Sequence, residues 1–130
     1  MSAESLRKAV VDRFDSLWSG SYVDRGSNHK FDPPVDAPWV RIQTQPFATD
    51  NIDVGGSLQR TEGEIVVQCF APTNTGERGL LLMADEVKSI FQNQTFVGVQ
   101  CYATSTIKVG ESGGWYQVNA NTVFQYDVYS

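Results

Sequence analysis

The residues of this chain that could do chemistry stand apart from the partners such chemistry needs. His29 is the only histidine. It lies in a polar, proline-containing stretch with no serine or cysteine in a nucleophile-elbow setting beside it, so a triad has nothing to be built from. A solvated loop residue is the reading. Cys69 and Cys101 are the only cysteines and lack the CxxC spacing of a metal or redox pair. Each falls inside an apolar strand pattern, where a free thiol behaves as a small hydrophobe, so buried thiols are expected rather than a disulfide.

Acidic pairs occur at Asp32 with Asp36, Asp50 with Asp53, and Glu62 with Glu64. On a strand Glu62 and Glu64 point the same way, as a general acid and base can, but charges on a strand edge do the same. The structural reading is preferred. Asp50-Asn51-Ile52-Asp53-Val54-Gly55 lacks the full ligand series and the closing Glu of a calcium loop. The glycines at 55–56 and 110–114 precede no helix with a following Lys, so turns explain them better than a phosphate cradle. No catalytic residue, metal or cofactor is expected.

A chain of 130 residues with 41% apolar and 12% aromatic content has the size and composition of one folded domain, residues 1–130. Its 19% charged content is modest, so contacts with other chains are expected to cover part of the surface. The formal charge of −5 gives DNA no overall attraction. Residues 1–14 lack the apolar core of a signal peptide and no later run approaches a membrane span, so folding in a cytoplasm away from membranes is expected.

Periodicity supplies the elements that would position these residues. Leu6, Val10, Phe14 and Leu17 recur at helical steps, predicting a helix over 3–19 ended by Gly20. Residues 21–38 read as a long polar arm carrying Tyr22 and Phe31 as apolar anchors, poorly ordered alone and docking on a neighbour. A strand is predicted over 39–45, closed by Pro46, with a mobile connection over 49–57 and a central strand over 60–70. Asn74 and Glu77 have capping-box spacing ahead of a helix reaching Gln92. Its stripe is Leu80, Met83, Ala84, Val87, Ile90 and Phe91, while Leu81 and Leu82 widen the apolar surface toward a second contact.

The last third alternates throughout, with Val97, Val99, Cys101, Ala103, Ser105, Ile107 and Val109 on one side, and Tyr116, Val118, Ala120, Thr122, Phe124, Tyr126 and Val128 repeating it. This predicts one long hairpin in continuous register, with part of it extending past its own core. The fold expected is α+β: a four-stranded, mainly antiparallel sheet with two helices packed on one face and a long C-terminal β-hairpin. The hairpin's other side is rich in neutral polar residues: Gln100, Thr104, Thr106, Gln117, Asn119, Asn121 and Gln125. A solvated sheet face usually carries more charge, so an interface or a lumen is expected here. Trp39 and Trp115 are each core or interface anchors, with Trp115, beside a glycine-rich turn, the better interface candidate.

Three patterns carry a resemblance: Phe31-Asp32-Pro33-Pro34 with Ala37-Pro38-Trp39-Val40-Arg41; Gly63-Glu64-Ile65-Val66-Val67-Gln68 with Phe70-Ala71-Pro72; and Gly76 followed by Met83-Ala84-Asp85 and Ile90-Phe91. Over nearly its whole length the chain resembles the tail terminator proteins of long, non-contractile phage tails. The resemblance implies a structural virion protein at the head-proximal end of the tail, made in the host cytoplasm. It implies a homohexameric ring that caps the tail tube protein, ends tube polymerisation, meets a head–tail connector or neck protein, and lets DNA pass without specific binding.

On that reading the subunit or tube interface takes Tyr22, Phe31, Trp39, Leu81, Leu82, Trp115, Gln117 and Asn119, and the channel or its rim takes Asp50, Asp53, Glu62 and Glu64. The alternatives are a neck or tail completion protein, and a small cytoplasmic ligand-binding or enzymatic α+β domain. Oligomer mass and position in the particle separate the three.

Overall fold

A computed structural model describes residues 2–20, 22–25 and 31–129. His29 and the arm residues Ser21 and 26–30 lie outside the described residues.

Helix α1 (Ala3–Leu17) begins at a reciprocal cap. The Ser2 hydroxyl accepts from the Ser5 amide at 3.1 Å, and the Ser5 hydroxyl accepts from the Ser2 amide at 2.8 Å. Leu6, Val10 and Phe14 are buried at the predicted spacing, but Leu17 is exposed. The chain turns extended at Trp18, whose ring folds back to stack on Phe14 at 5.0 Å and takes the place expected of Leu17.

After α1 come β1 (Val23–Asp24), β2 (Trp39–Asn51), β3 (Leu58–Pro72), helix α2 (Arg78–Phe91), β4 (Thr95–Phe96), β5 (Val99–Ser112) and β6 (Trp115–Tyr129). Among the described residues they form one six-stranded mixed sheet in the order β1-β2-β3-β6-β5-β4, rather than the expected four-stranded, mainly antiparallel one. The four long strands are antiparallel as expected; β1 adds a parallel pairing with β2, and β4 an antiparallel one with β5. Two residues are too few for period-two alternation to register, which is why β1 and β4 escape a pattern reading.

Both helices pack on one face. Leu6, Val10 and Phe14 of α1 join Leu80, Ala84, Val87 and Phe91 of α2 in a single cluster with Val40, Ile42, Ile65, Val67, Val118 and Phe124 of the sheet. Arg13 ties the helices together: its Nε donates to the Ile90 carbonyl at 2.9 Å while its guanidinium lies 5.0 Å over the Phe96 ring. Asn74 does not cap α2; it sits in a turn with φ of 71°, and Glu77 at the cap position instead pairs with Lys108 at 2.7 Å. Met83 and Leu81 are half-buried and Leu82 is exposed.

Pro46 does not close β2. The strand continues to Asn51 through a register shift between Pro46 and Ala48, and the expected mobile connection over 49–57 is strand up to Asn51, then a turn. The outer side of β2 is unpaired here among the described strands, so Pro46 removes no ladder donor. Gly63 stands opposite, where an added Cβ would lie 2.4 Å from the Gln45 carbonyl oxygen and 2.8 Å from the Pro46 Cα. Only glycine allows that approach.

The expected continuous register of β5 is broken as well. A shift between Cys101 and Thr104 brings Thr104 and Thr106 to the helix side, and Ser105 and Ile107 to the other. Val97, expected in the apolar series, is an exposed turn residue with φ of 47°, followed by Gly98 with φ of 80°. Nor does the hairpin leave the sheet, because β3 pairs with all of β6 from Leu58↔Tyr129 to Pro72↔Trp115. Past Thr104, however, β5 has no buried residue.

Candidate interaction face

Because β3 and β6 pair without a shift, their residues divide cleanly between the two faces. The side away from the helices carries Gln68 and Val66 of β3 beside Asn119 and Asn121 of β6, with Gln43 of β2 next to Val66. The predicted Gln117, Asn119, Asn121, Gln125 and Gln100 share this side; Thr104 and Thr106 do not, having been turned over by the bulge. The amides bond along the face, with Gln117 Nε2 donating to Asn119 Oδ1 at 2.8 Å and Gln125 Nε2 donating to Gln100 Oε1 at 3.4 Å. Gln68 Oε1 and Asn121 Oδ1 are shielded by their neighbours and have no hydrogen-bond partner among the described residues.

At one end the face becomes aromatic. Trp39 and Phe70, opposite each other on β2 and β3, stack with centroids 4.1 Å apart and planes 12° from parallel. Phe31 approaches the Trp39 ring at 5.2 Å, and Trp115 meets it edge-on at 6.0 Å. Arg41 lies over both stacked rings, 5.3 Å from Trp39 and 5.9 Å from Phe70, and its Nε bonds Asp24 at 2.9 Å. Three of the expected interface residues, Phe31, Trp39 and Trp115, are thus one cluster. Trp39 is only 5% exposed, so its ring is a buried support and not a free anchor. Phe70 and Arg41 stand in the motifs that carry the resemblance but not among the expected interface residues, although Phe70 alternates in phase with Gln68 and Val66 and so had to share their side.

The other end is acidic. Glu64 and Glu62 of β3 lie on the amide side, and the β2 bulge brings Ala48 opposite Glu62 and Asp50 opposite Arg60, so Asp50 joins them. Arg60 is taken up by Asp127, its Nε and Nη2 donating at 2.8 and 3.0 Å, and this hydrogen bonding holds the Asp127 carboxyl below its ordinary value. Asp53 belongs elsewhere: it organises the β2–β3 turn, accepting from the Ser57 hydroxyl and from the Leu58 amide at 3.2 Å. Those bonds, the Ser57 one first, hold its carboxyl below the ordinary carboxylate pKa.

Two of the remaining predicted interface residues lie off this face. Leu81 and Leu82 are on α2, across the sheet. Tyr22 lines a cleft of about 310 Å³ with Trp18, Pro38, Trp39 and Met83, where Glu86 accepts from the Ser19 amide and hydroxyl, each at 2.7 Å. No group of three His, Cys, Asp or Glu among the described residues has metal-site geometry. Cys69 and Cys101 are free and buried, and desolvation pushes their thiols up to about 12 and about 11. No described helix is long and apolar enough to cross a membrane.

A family model described as phage tail terminator protein matches residues 5–121. Among solved structures, one chain of 21% sequence identity superposes with a TM-score of 0.75, covering 100% of this chain and 99% of that one, which shows a shared fold. A search of curated proteins returned no match.

Proposed function

The chain belongs to the phage tail terminator family, and we propose that copies of it form a hexameric ring that caps the tail tube, ends its polymerisation and presents the surface that meets the head. The family is one of structural proteins of the phage tail, and the match over residues 5–121 carries the proposal.

The geometry supports the reading. Both helices cover one side of the sheet, while the other side is a row of neutral amides ending in Glu62, Glu64 and Asp50. We assign that side to the channel. Neutral amides offer no fixed positive charge to phosphate, and the acidic end repels it, so DNA slides past without being held. Leu81 and Leu82 face away from it, and they and Tyr22 are assigned to contacts with neighbours or the tube; Phe31, Trp39 and Trp115 support one rim.

Two measurements test this: the mass of the purified protein in solution and on short tubes, and the position of a tag on it in whole particles by electron microscopy. A six-copy mass and a tag at the head-proximal end of the tail are expected. A monomer on tubes as well as in solution would overturn the ring, and a tag at the portal of tailless heads would make it a completion protein of the head.

A further inference from the structure

Both sides of the sheet end in long strands whose outer edges are mostly open. Among the described residues, β1 covers β2 at Val40 and Arg41, while β4 and the residues before it cover β5 from Val99 to Tyr102, with Gln92 taking the Thr104 amide. Among the described residues, 42–51 of β2 and 105–112 of β5 therefore have no strand beyond them. Open edges are normally guarded by charge, yet residues 42–51 carry only Asp50, beside Pro46 and its bulge, and residues 105–112 only Lys108 and Glu111. What they carry instead is apolar: Phe47 is 63% exposed, Ile107 44% and Val109 54%.

We propose that these two edges pair with each other between copies, β2 of one subunit running antiparallel to β5 of the next, so that the sheets of the ring join into one closed sheet. This rests on the ring reading above and names the contact that makes it. Strand direction permits it. The four long strands alternate in direction, so β2 and β5 of one copy are antiparallel, and rotation about a ring axis brings a β2 alongside a β5 with the alternation intact. Four is even, so the pattern closes without a mismatch.

The stagger of the open spans fits as well. Residues 42–51 of β2 lie across 59–67 of β3, whereas residues 105–112 of β5, followed through β6, lie across 66–72 of β3. The two spans are offset along the strands by about six residues. A closed sheet with strands spaced ~4.8 Å and tilted ~40° shifts each four-strand unit by ~16 Å, about five residues at ~3.3 Å each and within about one residue of that offset. With the open spans centred on one another, Phe47 of one copy falls beside Ile107 and Val109 of the next, removing the exposed apolar groups from water. Pro46 and its bulge cost one pairing position and leave residues 42–45 and 48–51 to bond.

Disulfide trapping in assembled tails tests the contact, using chains that carry both Phe47→Cys and Ile107→Cys; the native thiols are buried and stay silent. A ladder of covalent multimers on a non-reducing gel is expected, absent from either single variant. A six-copy ring without the ladder overturns the edge pairing and spares the ring. Dimers from one single variant replace it with a two-fold contact, and a monomeric mass overturns both readings. Hydrogen exchange on the unaltered chain gives a second readout: the outward-pointing amides in 42–51 and 105–112 should slow at least tenfold on assembly, and unchanged exchange overturns the pairing even where the cysteine variants fail to fold.

Discussion

Thr104 and Thr122 share a 2.7 Å hydrogen bond between their hydroxyls inside the helix-covered side of the sheet. The bond exists because the β5 bulge turns Thr104 inward, opposite Thr122, which is fully buried. Gln92 Oε1 accepts from the Thr104 amide at 3.1 Å and fixes the strand from the helix end.

Replacing either threonine alone by valine should leave the other hydroxyl buried and unpaired, at a cost of about 1–3 kcal/mol. Replacing both should recover most of that loss. Urea denaturation of the two single variants and the double variant measures it; a double variant as unstable as the sum of the singles would show that the hydroxyls do not depend on one another.

Gly63→Ala should destabilise the fold by about 2–3 kcal/mol, since the new methyl would meet backbone at 2.4 and 2.8 Å and the Phe124 ring at 2.9 Å. Gly79→Ala, within α2 and with nothing inside 4 Å of the added Cβ, should instead stabilise by about 0.5–1 kcal/mol. Thermal melts of the pair should move in opposite directions.

Local pattern is informative where strand pairing is regular. Alternation along β3 and β6 is legible because their pairing is unbroken, and the Leu6–Val10–Phe14 stripe because one face of α1 is buried. Along β5 the same alternation misleads. Ile107 looks inward-facing and Thr106 outward-facing until a single inserted residue exchanges them, and nothing local marks the insertion. Pro46 reads as a stop because the edge that tolerates it is defined only by which strands fail to arrive. The same holds for the candidate face: its amides were visible in the alternation, but the Trp39–Phe70 stack joins strands whose register a one-dimensional pattern does not contain.

The buried thiols make stability fall with alkalinity. Folding raises both above the ordinary thiol value, Cys69 to about 12 and Cys101 to about 11, so their contribution is complete below about pH 9 and is lost as pH rises through those folded values. Each should contribute a slope of up to about 1.4 kcal/mol per pH unit in that window. A variant with both Cys69→Ala and Cys101→Ala should start less stable and show a flatter alkaline limb in denaturation series from pH 8 to 11. Identical slopes would refute the linkage.

Reversing charge on the amide side should affect DNA passage, following from the channel assignment. Glu62→Lys with Glu64→Lys is expected to slow ejection severalfold and to increase its dependence on salt, while Asp85→Lys, exposed on α2 across the sheet, is expected to leave it unchanged. Ejection kinetics from particles with equal tail yield decide it; equal rates for both variants would move the channel off this side.

The strand order has a consequence for how the chain is made. β3 finds its first neighbour in β2, through a short turn, but its other neighbour is β6, the last strand in the chain. At a synthesis rate of about 5–20 residues per second, β3 waits roughly 3–11 s with its Ile65-Val66-Val67 run open on one side. The half-made protein is thus most adhesive while still attached to the ribosome, and folding is set by the arrival of its final strand, a long-range pairing of the slow kind.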